Sequence, residues 1–198
     1  MHEVAAWIVD TIGGVGYFGI FLLMFLESTF VPVPSEIVMI PAGYLAQKGE
    51  MSFVIATLMG VLGSLGGALF NYFFALKYGR AFLLKYGKYI LLSPHKLEKL
   101  EIFFIKHGEI STFSGRLILG VRHLISLPAG YAKMNLNRFV LYTTLGSSIW
   151  VVVLMVVGYL VGSNESLVKE YLQTATLVAV VSIVAIAIIY IYARKEKA

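Results

Sequence analysis

Apolar residues in this chain come in long blocks that do not alternate, and polar residues gather between the blocks. The clearest block is 53–77. About 25 helical residues at about 1.5 Å each cross a hydrocarbon core of about 30 Å, so this block reads as a membrane span. Residues 139–160 and 171–192 read the same way, with a short polar loop at 162–170 between them. Within the first block, Gly60, Gly63, Gly66 and Gly67 predict a face against which another helix packs closely. Asn71 is polar inside it and predicts an interhelical hydrogen bond.

Two further apolar segments are interrupted. Residues 2–12 predict a short interfacial helix that ends at Gly13-Gly14. Residues 17–26 then run straight into Glu27, and Val31-Pro32-Val33-Pro34 follows. Proline lacks the N–H and restricts the residue before it, so no helix continues there. Ser35 is the expected N-cap of a second short helix, 36–45, which carries Pro41 and Gly43. Residues 110–127 are predicted to break at Gly115 and Gly120 and to close at Pro128, with Gly130 just beyond. Two half-length helices around a break predict a re-entrant hairpin in each case. Such backbone is tolerated at membrane depth only when buried in protein or lining a wet cavity.

Basic residues set the expected orientation. Residues 78–109 are the least apolar stretch, with Arg80, Lys85, Lys88, Lys96, Lys99 and Lys106 against Glu98, Glu101 and Glu109. The positive-inside rule makes this stretch cytoplasmic. Leu97, Leu100, Phe103 and Phe104 recur at helical spacing, so 95–107 is expected to lie on the membrane surface. If 110–128 re-enters and returns, Lys133, Arg138 and the basic C-terminus are all cytoplasmic, and Glu165 and Glu170 lie outside. If it crossed, those basic clusters would lie outside. The first hairpin then opens from the outer face, which makes the halves inverted repeats, as in many transporters. The halves share Pro41-Ala42-Gly43-Tyr44 with Pro128-Ala129-Gly130-Tyr131, and Leu62-Gly63-Ser64 with Leu145-Gly146-Ser147. The expectation is one all-α polytopic membrane domain, 1–198. Repeat one covers about 15–80, an amphipathic connector 81–109, repeat two about 110–162, and a C-terminal transmembrane helix 171–192, with the C-terminus in the cytoplasm.

Composition agrees with a membrane protein. Of the 198 residues 59% are hydrophobic and 14% charged, with a mean hydropathy of +0.83. A soluble domain carries about 25% charged residues. The non-alternating blocks exclude a β-barrel. The net charge of +5 comes from residues flanking apolar segments, where they meet lipid headgroups, and not from a nucleic-acid-binding stripe. With no cysteine, disulfides, thiolate metal sites and cysteine nucleophiles are excluded. Met1-His2-Glu3 lacks the cationic start of a signal peptide, so the chain is expected to be mature as it stands.

Four ionisable residues sit inside the apolar segments: Glu27, Glu36, Arg116 and Arg122. An unpaired charge at membrane depth costs several kcal/mol, so such residues face a partner charge, a protein interior or a substrate path. Two carboxylates sharing a poorly solvated site favour retention of a proton, the chemistry a proton-coupled carrier needs. Glu36 also suits the first turn of a helix. Arg116 and Arg122 are about 120° apart in phase on an unbroken helix, and a break at Gly120 lets them converge. A guanidinium presents a planar fork suited to phosphate, so two buried arginines read either as an anion site or as structural partners of the two acids. His123 has no metal-ligand spacing beside it and reads as packing. Trp7, Trp150 and the tyrosines read as interfacial anchors or packing. No metal or cofactor is expected.

At Glu27…Pro32-x-Pro34-x-Glu36 and at Phe113-x-Gly115-Arg116…Gly120-x-Arg122…Ser126-Leu127-Pro128-Ala129-Gly130…Met134…Phe139, the chain resembles the DedA family. That family shares its domain with SNARE-associated Golgi-type membrane proteins. The resemblance covers about residues 15–165. It implies two re-entrant hairpins in inverted repeats and a role in lipid translocation. The family's acids fall on Glu27 and Glu36, its arginines on Arg116 and Arg122. Leu119 stands where the family has proline before the glycine.

The resulting expectation is a multi-pass carrier in the bacterial cytoplasmic membrane that moves a phosphate-bearing lipid. Undecaprenyl phosphate is the leading substrate by resemblance, with proton coupling through the acids, contacts to membrane lipids, no nucleic-acid partner, and a homodimer admitted. The rivals are a phospholipid flippase or scramblase, a non-transporting scaffold, and an integral lipid phosphatase. The last needs Ser-Arg followed five residues later by His. Here Gly115 precedes Arg116, and His123 falls outside that spacing.

Overall fold

The computed structural model describes the backbone of residues 2–29, 34–86, 94–118 and 121–161, and side chains within 11–29, 34–79, 102–118 and 121–160. Pro32, Gly120, the loop 162–170 and the expected C-terminal helix 171–192 lie outside the described residues. Among the described residues six helices follow in order: α1 His2–Glu27, α2 Ser35–Gln47, α3 Phe53–Tyr86, α4 Pro94–Leu117, α5 Ser126–Tyr131 and α6 Leu136–Val161. No strand occurs among the described residues.

Among the described residues two helices are long and apolar enough to cross a membrane, at Phe53–Gly79 in α3 and Leu136–Leu160 in α6. Only 39% and 33% of the most apolar stretch of each is buried. Leu58, Leu62, Phe70 and Phe73 on α3, and Leu141, Leu145, Ile149 and Val153 on α6, point outward. A soluble protein rarely exposes so much contiguous apolar surface. In hydrocarbon the same surface is at home.

The two spans run antiparallel. Phe53 packs on Tyr159, Ser64 lies against Ser147, and Tyr72 stacks on Phe139 at 4.6 Å between ring centres. Around this pair the remaining helices pack crosswise. α1 lies on α3 and α4 on α6, whereas the short α2 lies on α6 and the short α5 on α3. Each short helix therefore seats on the span from the other half of the sequence.

Both copies of the Pro-Ala-Gly-Tyr tetrapeptide make these seats. A Cβ built on Gly43 would stand 2.3 Å from the Met155 carbonyl oxygen, and one on Gly130 would stand 2.2 Å from that of Tyr72. Backbone meets backbone at both places, which only glycine permits. Tyr72 also donates its hydroxyl to the Met134 carbonyl, just beyond α5.

Each helix–break–helix unit closes on itself. Tyr17 Oη accepts a hydrogen bond from the Ser52 N–H at 2.7 Å, so the middle of α1 meets the segment just beyond α2. Thr112 Oγ1 donates to Met134 Sδ at 3.5 Å and likewise joins α4 to the segment just beyond α5. At the opposite ends Asn71 holds both breaks. Its Nδ2 donates to the Ser28 carbonyl at 3.0 Å and to the His123 carbonyl at 3.3 Å. The bond expected of its position is interhelical; both acceptors instead lie in turns just outside the helices.

Several expected boundaries move. The helix expected to stop at Gly13-Gly14 runs on and kinks at Gly16, where φ is 60° and ψ −158°. Glycine reaches that backbone without steric cost. Pro34, not Ser35, takes the cap position of α2, and no side chain caps it. Pro41 lies inside α2. Gly115 does not break α4. It makes room for Ile125, whose Cγ1 would lie 2.7 Å from an added Cβ. Pro128 does not close a segment; it lies within the first turn of α5, where a missing N–H costs little. The surface helix expected at 95–107 is continuous with the apolar turns beyond it, in α4.

Replacing Gly43 or Gly130 with alanine should force α2 off α6, or α5 off α3, at a cost of about 1–3 kcal/mol. Gly14→Ala, which meets nothing within 4 Å, should be neutral or slightly stabilising. Unfolding of the purified protein in detergent measures all three. Equal stability of Gly43→Ala, Gly130→Ala and the parent would contradict the close seats.

Candidate functional site

The C-terminal end of α1 puts Glu27 at the first break, and the first turn of α2 puts Glu36 on the far side of it. The C-terminal end of α4 carries Arg116. Arg122 comes from the non-helical turn between α4 and α5. Glu27, Arg116 and Arg122 are 3%, 3% and 5% exposed. Glu27, Glu36 and Arg122 are in direct contact, and Arg116 lines the same cavity as Glu27 and Arg122.

Arg122 is the hub. Its Nη2 lies 3.2 Å from Glu36 Oε1 and 3.3 Å from Oε2. Its Nε lies 3.2 Å from Glu27 Oε1, an ion-pair contact not aligned as a hydrogen bond. One guanidinium thus bridges two carboxylates from two helices. The acids do not confront one another as the sequence suggests; a cation stands between them. Trp150 of α6 covers this guanidinium, 4.9 Å from ring centre to Cζ. The Trp150 indole N–H donates to Ser35 Oγ at 3.2 Å, tying α6 to the start of α2.

Arg116 is held by hydroxyl groups. Its Nη2 donates to Ser126 Oγ at 3.0 Å and its Nη1 to Ser64 Oγ at 3.5 Å. A chain of hydroxyls leads from there to the acids. Ser28 donates to Glu27 Oε2 at 2.9 Å, Ser28 and Ser64 share a hydrogen bond at 2.9 Å, and Ser64 and Ser147 share one at 3.2 Å. His123 Nδ1 lies 2.9 Å from the Glu27 carbonyl oxygen and 3.6 Å from Glu27 Oε1. His123 therefore fixes the end of α1, a packing role.

Glu27, Arg116 and Arg122 line one cavity with Ser64, Ser147 and Trp150. Its free space of about 10 Å³ has room for a single water and not for a phosphate group. Three donors of the arginines, Arg116 Nε, Arg122 Nε and Arg122 Nη1, have no hydrogen-bond acceptor. Buried donors are rarely left in that state. The two acids cancel the two arginines in formal charge, yet the guanidinium N–H groups are not all spent. Among the described residues no group of three His, Cys, Asp or Glu side chains sits as a metal site would.

The sequence singled out the four charges but not their supports. Ser64 and Ser147 had a signal, since each closes a copy of Leu-Gly-Ser. Ser126 had one too, since it opens the motif Ser126-Leu127-Pro128-Ala129-Gly130, and Ser28 had none beyond being small and polar. Trp150, expected as an anchor or packing, is a wall of the charged site.

Removing Arg122 should leave one buried carboxylate, Glu27, and one part-buried, Glu36, without their shared cation. Arg122→Met is expected to lower stability by about 3–5 kcal/mol, and adding Glu27→Gln and Glu36→Gln should recover part of it. Denaturant unfolding in detergent measures both. A harmless single variant would contradict the bridge.

Comparison with known proteins follows the same residues. The chain matches the VTT domain over residues 33–160. It is 37% identical to the Uncharacterized membrane protein YkoX of Bacillus subtilis, covering 98% of this chain and 86% of that protein. It is 34% identical to Undecaprenyl phosphate transporter A of the same species, covering 100% and 96%. A Lactococcus lactis protein named Alkaline phosphatase-like protein is 34% identical over 96% and 92%. No solved structure matches.

Proposed function

This chain belongs to the VTT domain family, that of the DedA membrane proteins, and from that premise we propose that it carries a phosphate-bearing lipid across a bacterial membrane. Its membrane-protein relatives and apolar spans put it in a bacterial membrane. Undecaprenyl phosphate is the proposed substrate, and relatives in Bacillus subtilis and Staphylococcus aureus named for that transport support the choice. The observation that carries the reading is the pair of buried arginines enclosed with two acids between two apolar spans.

In this reading the acids act as an internal stand-in for the substrate's phosphate. Glu27 and Glu36 hold Arg122 in the closed site. A lipid phosphate competes for the guanidinium groups as the cavity widens, and Arg116 joins Arg122 in clamping it. A planar fork suits phosphate in a way an ammonium does not. Protonation of either acid loosens its hold on Arg122, which gives a route to proton coupling. The lipid tail stays in the bilayer, along the outward apolar faces of the spans.

The same reading takes the two helix–break–helix units as re-entrant hairpins in inverted repeats. Its support is the crosswise packing. Exchanging α1 with α4, α2 with α5 and α3 with α6 turns each main contact into another, and Ser64 meets its counterpart Ser147 at the centre. Antiparallel spans related in this way enter a bilayer from opposite faces. Single cysteines introduced at positions 48 and 133 should therefore label from the outside and the cytoplasm respectively. Labelling of both from one side would sink the inverted arrangement.

Transport is tested in proteoliposomes, with undecaprenyl phosphate and phosphatidylethanolamine compared at matched protein content. The polyprenyl phosphate should move faster. Arg116→Lys and Arg122→Lys should each lose on the order of tenfold in rate, because charge alone does not replace the fork. Transport should vary with external pH, and Glu27→Gln should flatten that profile. Equal movement of both lipids would favour a phospholipid flippase or scramblase. Release of inorganic phosphate from the lipid would make the protein a phosphatase instead.

A further inference from the structure

A second cleft lies well away from the charged site. It has a volume of about 470 Å³, within the range of small-ligand sites. It opens where α4 passes the turn between α5 and α6, beside the start of the α6 span. Its floor is apolar: Phe104 and Met134 are 5% and 9% exposed. Its rim is basic, with Lys106, His107, Lys133 and Arg138 against the single carboxylate of Glu109. With His107 neutral, three cations against one carboxylate leave the rim at +2.

We propose that this cleft binds the headgroup of an anionic phospholipid, with the phosphate on Lys106 and Lys133. Arg138 is already paired with Glu109. Lys106 and Lys133 have no carboxylate partner among the described residues. The N-terminus of α6 is not the anion site, because Asn135 Oδ1 already accepts from the N–H groups of residues 137 and 138, at 3.1 and 3.3 Å. The side-chain cations therefore carry the charge recognition. Lys133 has a φ of 52°, the one positive value among the described non-glycine residues. A lysine in that backbone costs free energy that glycine or asparagine would not, and such costs gather at sites of function.

The neighbouring surface selects a lipid over a soluble phosphate. Ile105, 73% exposed, lines the cleft; Phe103, 50% exposed, packs on His107 of the rim, and the exposed Leu136 follows Asn135 of the lining. These residues suit acyl chains at the level where the span meets the headgroups. Basic pockets between transmembrane helices take acidic lipid heads for this reason. A bound lipid would staple α4, which bears Arg116 about two turns further on, to the turn that leads into α6.

The test is titration of the full-length protein in neutral detergent with dioleoylphosphatidylglycerol, read by native mass spectrometry and by unfolding temperature. One saturable lipid adduct and a rise in unfolding temperature are expected. Dioleoylphosphatidylcholine and soluble glycerol phosphate should give neither. Lys106→Gln/Lys133→Gln should weaken the adduct on the order of 10- to 30-fold, with an unchanged unfolding temperature in lipid-free detergent. On the unaltered protein, added salt should weaken the adduct as well. Equal binding of phosphatidylcholine or of glycerol phosphate would overturn the proposal, and so would an adduct indifferent to salt. An adduct lost in Arg116→Lys/Arg122→Lys and kept in the lysine variant would move the lipid to the buried site and overturn it too. Because the two sites share no residue, failure here leaves the transport reading intact.

Discussion

Charge neutrality at depth is the constraint on which the rest depends. A bilayer interior makes an unpaired ion very costly, and this chain places two acids and two arginines there. Arg122 meets the requirement by bridging Glu27 on α1 and Glu36 on α2 beneath Trp150 of α6. Arg116 is solvated by Ser126 and Ser64, and hydrogen bonds from Ser64 through Ser28 link it to the Glu27 carboxylate. Every element that touches the spans thereby contributes to one polar centre. The breaks in the helices follow from this centre, because they bring side chains from chain segments far apart in sequence to one place. The breaks in turn require partners for their exposed backbone, and Asn71 supplies two of them.

The same arrangement carries a tension suited to movement. A site built only for stability would spend its donors and could be replaced by well-packed apolar side chains. Here two guanidinium groups keep N–H donors in hand while their formal charges are cancelled. The acids are partners for the arginines and competitors of any anion that arrives. Under the transport reading proposed above, such a site would have two satisfactory states, one internal and one loaded, and a modest free-energy difference would choose between them.

Much of this was legible in the sequence, for physical reasons. The four charges stood out because apolar segments do not carry charge idly. The spans stood out because length and hydropathy alone define them. What could not be read was rotational phase and glycine's purpose. Whether Trp150 faces lipid or the interior depends on how α6 is turned, and a helix apolar on nearly all sides gives no phase. Gly115 looked like a break and is a notch for Ile125. Gly13-Gly14 looked like an end, and Gly16 is the kink. The charges of 94–109 hid their continuity with the apolar turns that follow, because charged and apolar stretches of one helix differ in composition and not in backbone. Ser35 looked like a cap, yet its hydroxyl accepts from Trp150.

The crosswise seating of the short helices has a consequence for synthesis. α2 ends at residue 47, and the span it packs on begins at residue 136. At about 5–20 residues per second, roughly 90 residues of translation separate the helix from its seat by about 5–20 s. For most of that interval, until residues 116 and 122 are made, Glu27 and Glu36 exist without either arginine. Gly43 exists without the carbonyl it will rest against. The first half of the nascent chain must therefore wait, in the insertion machinery or at the membrane surface, until the second half delivers both its cations and its docking groove. The ribosome makes this protein in an order that the finished packing does not follow.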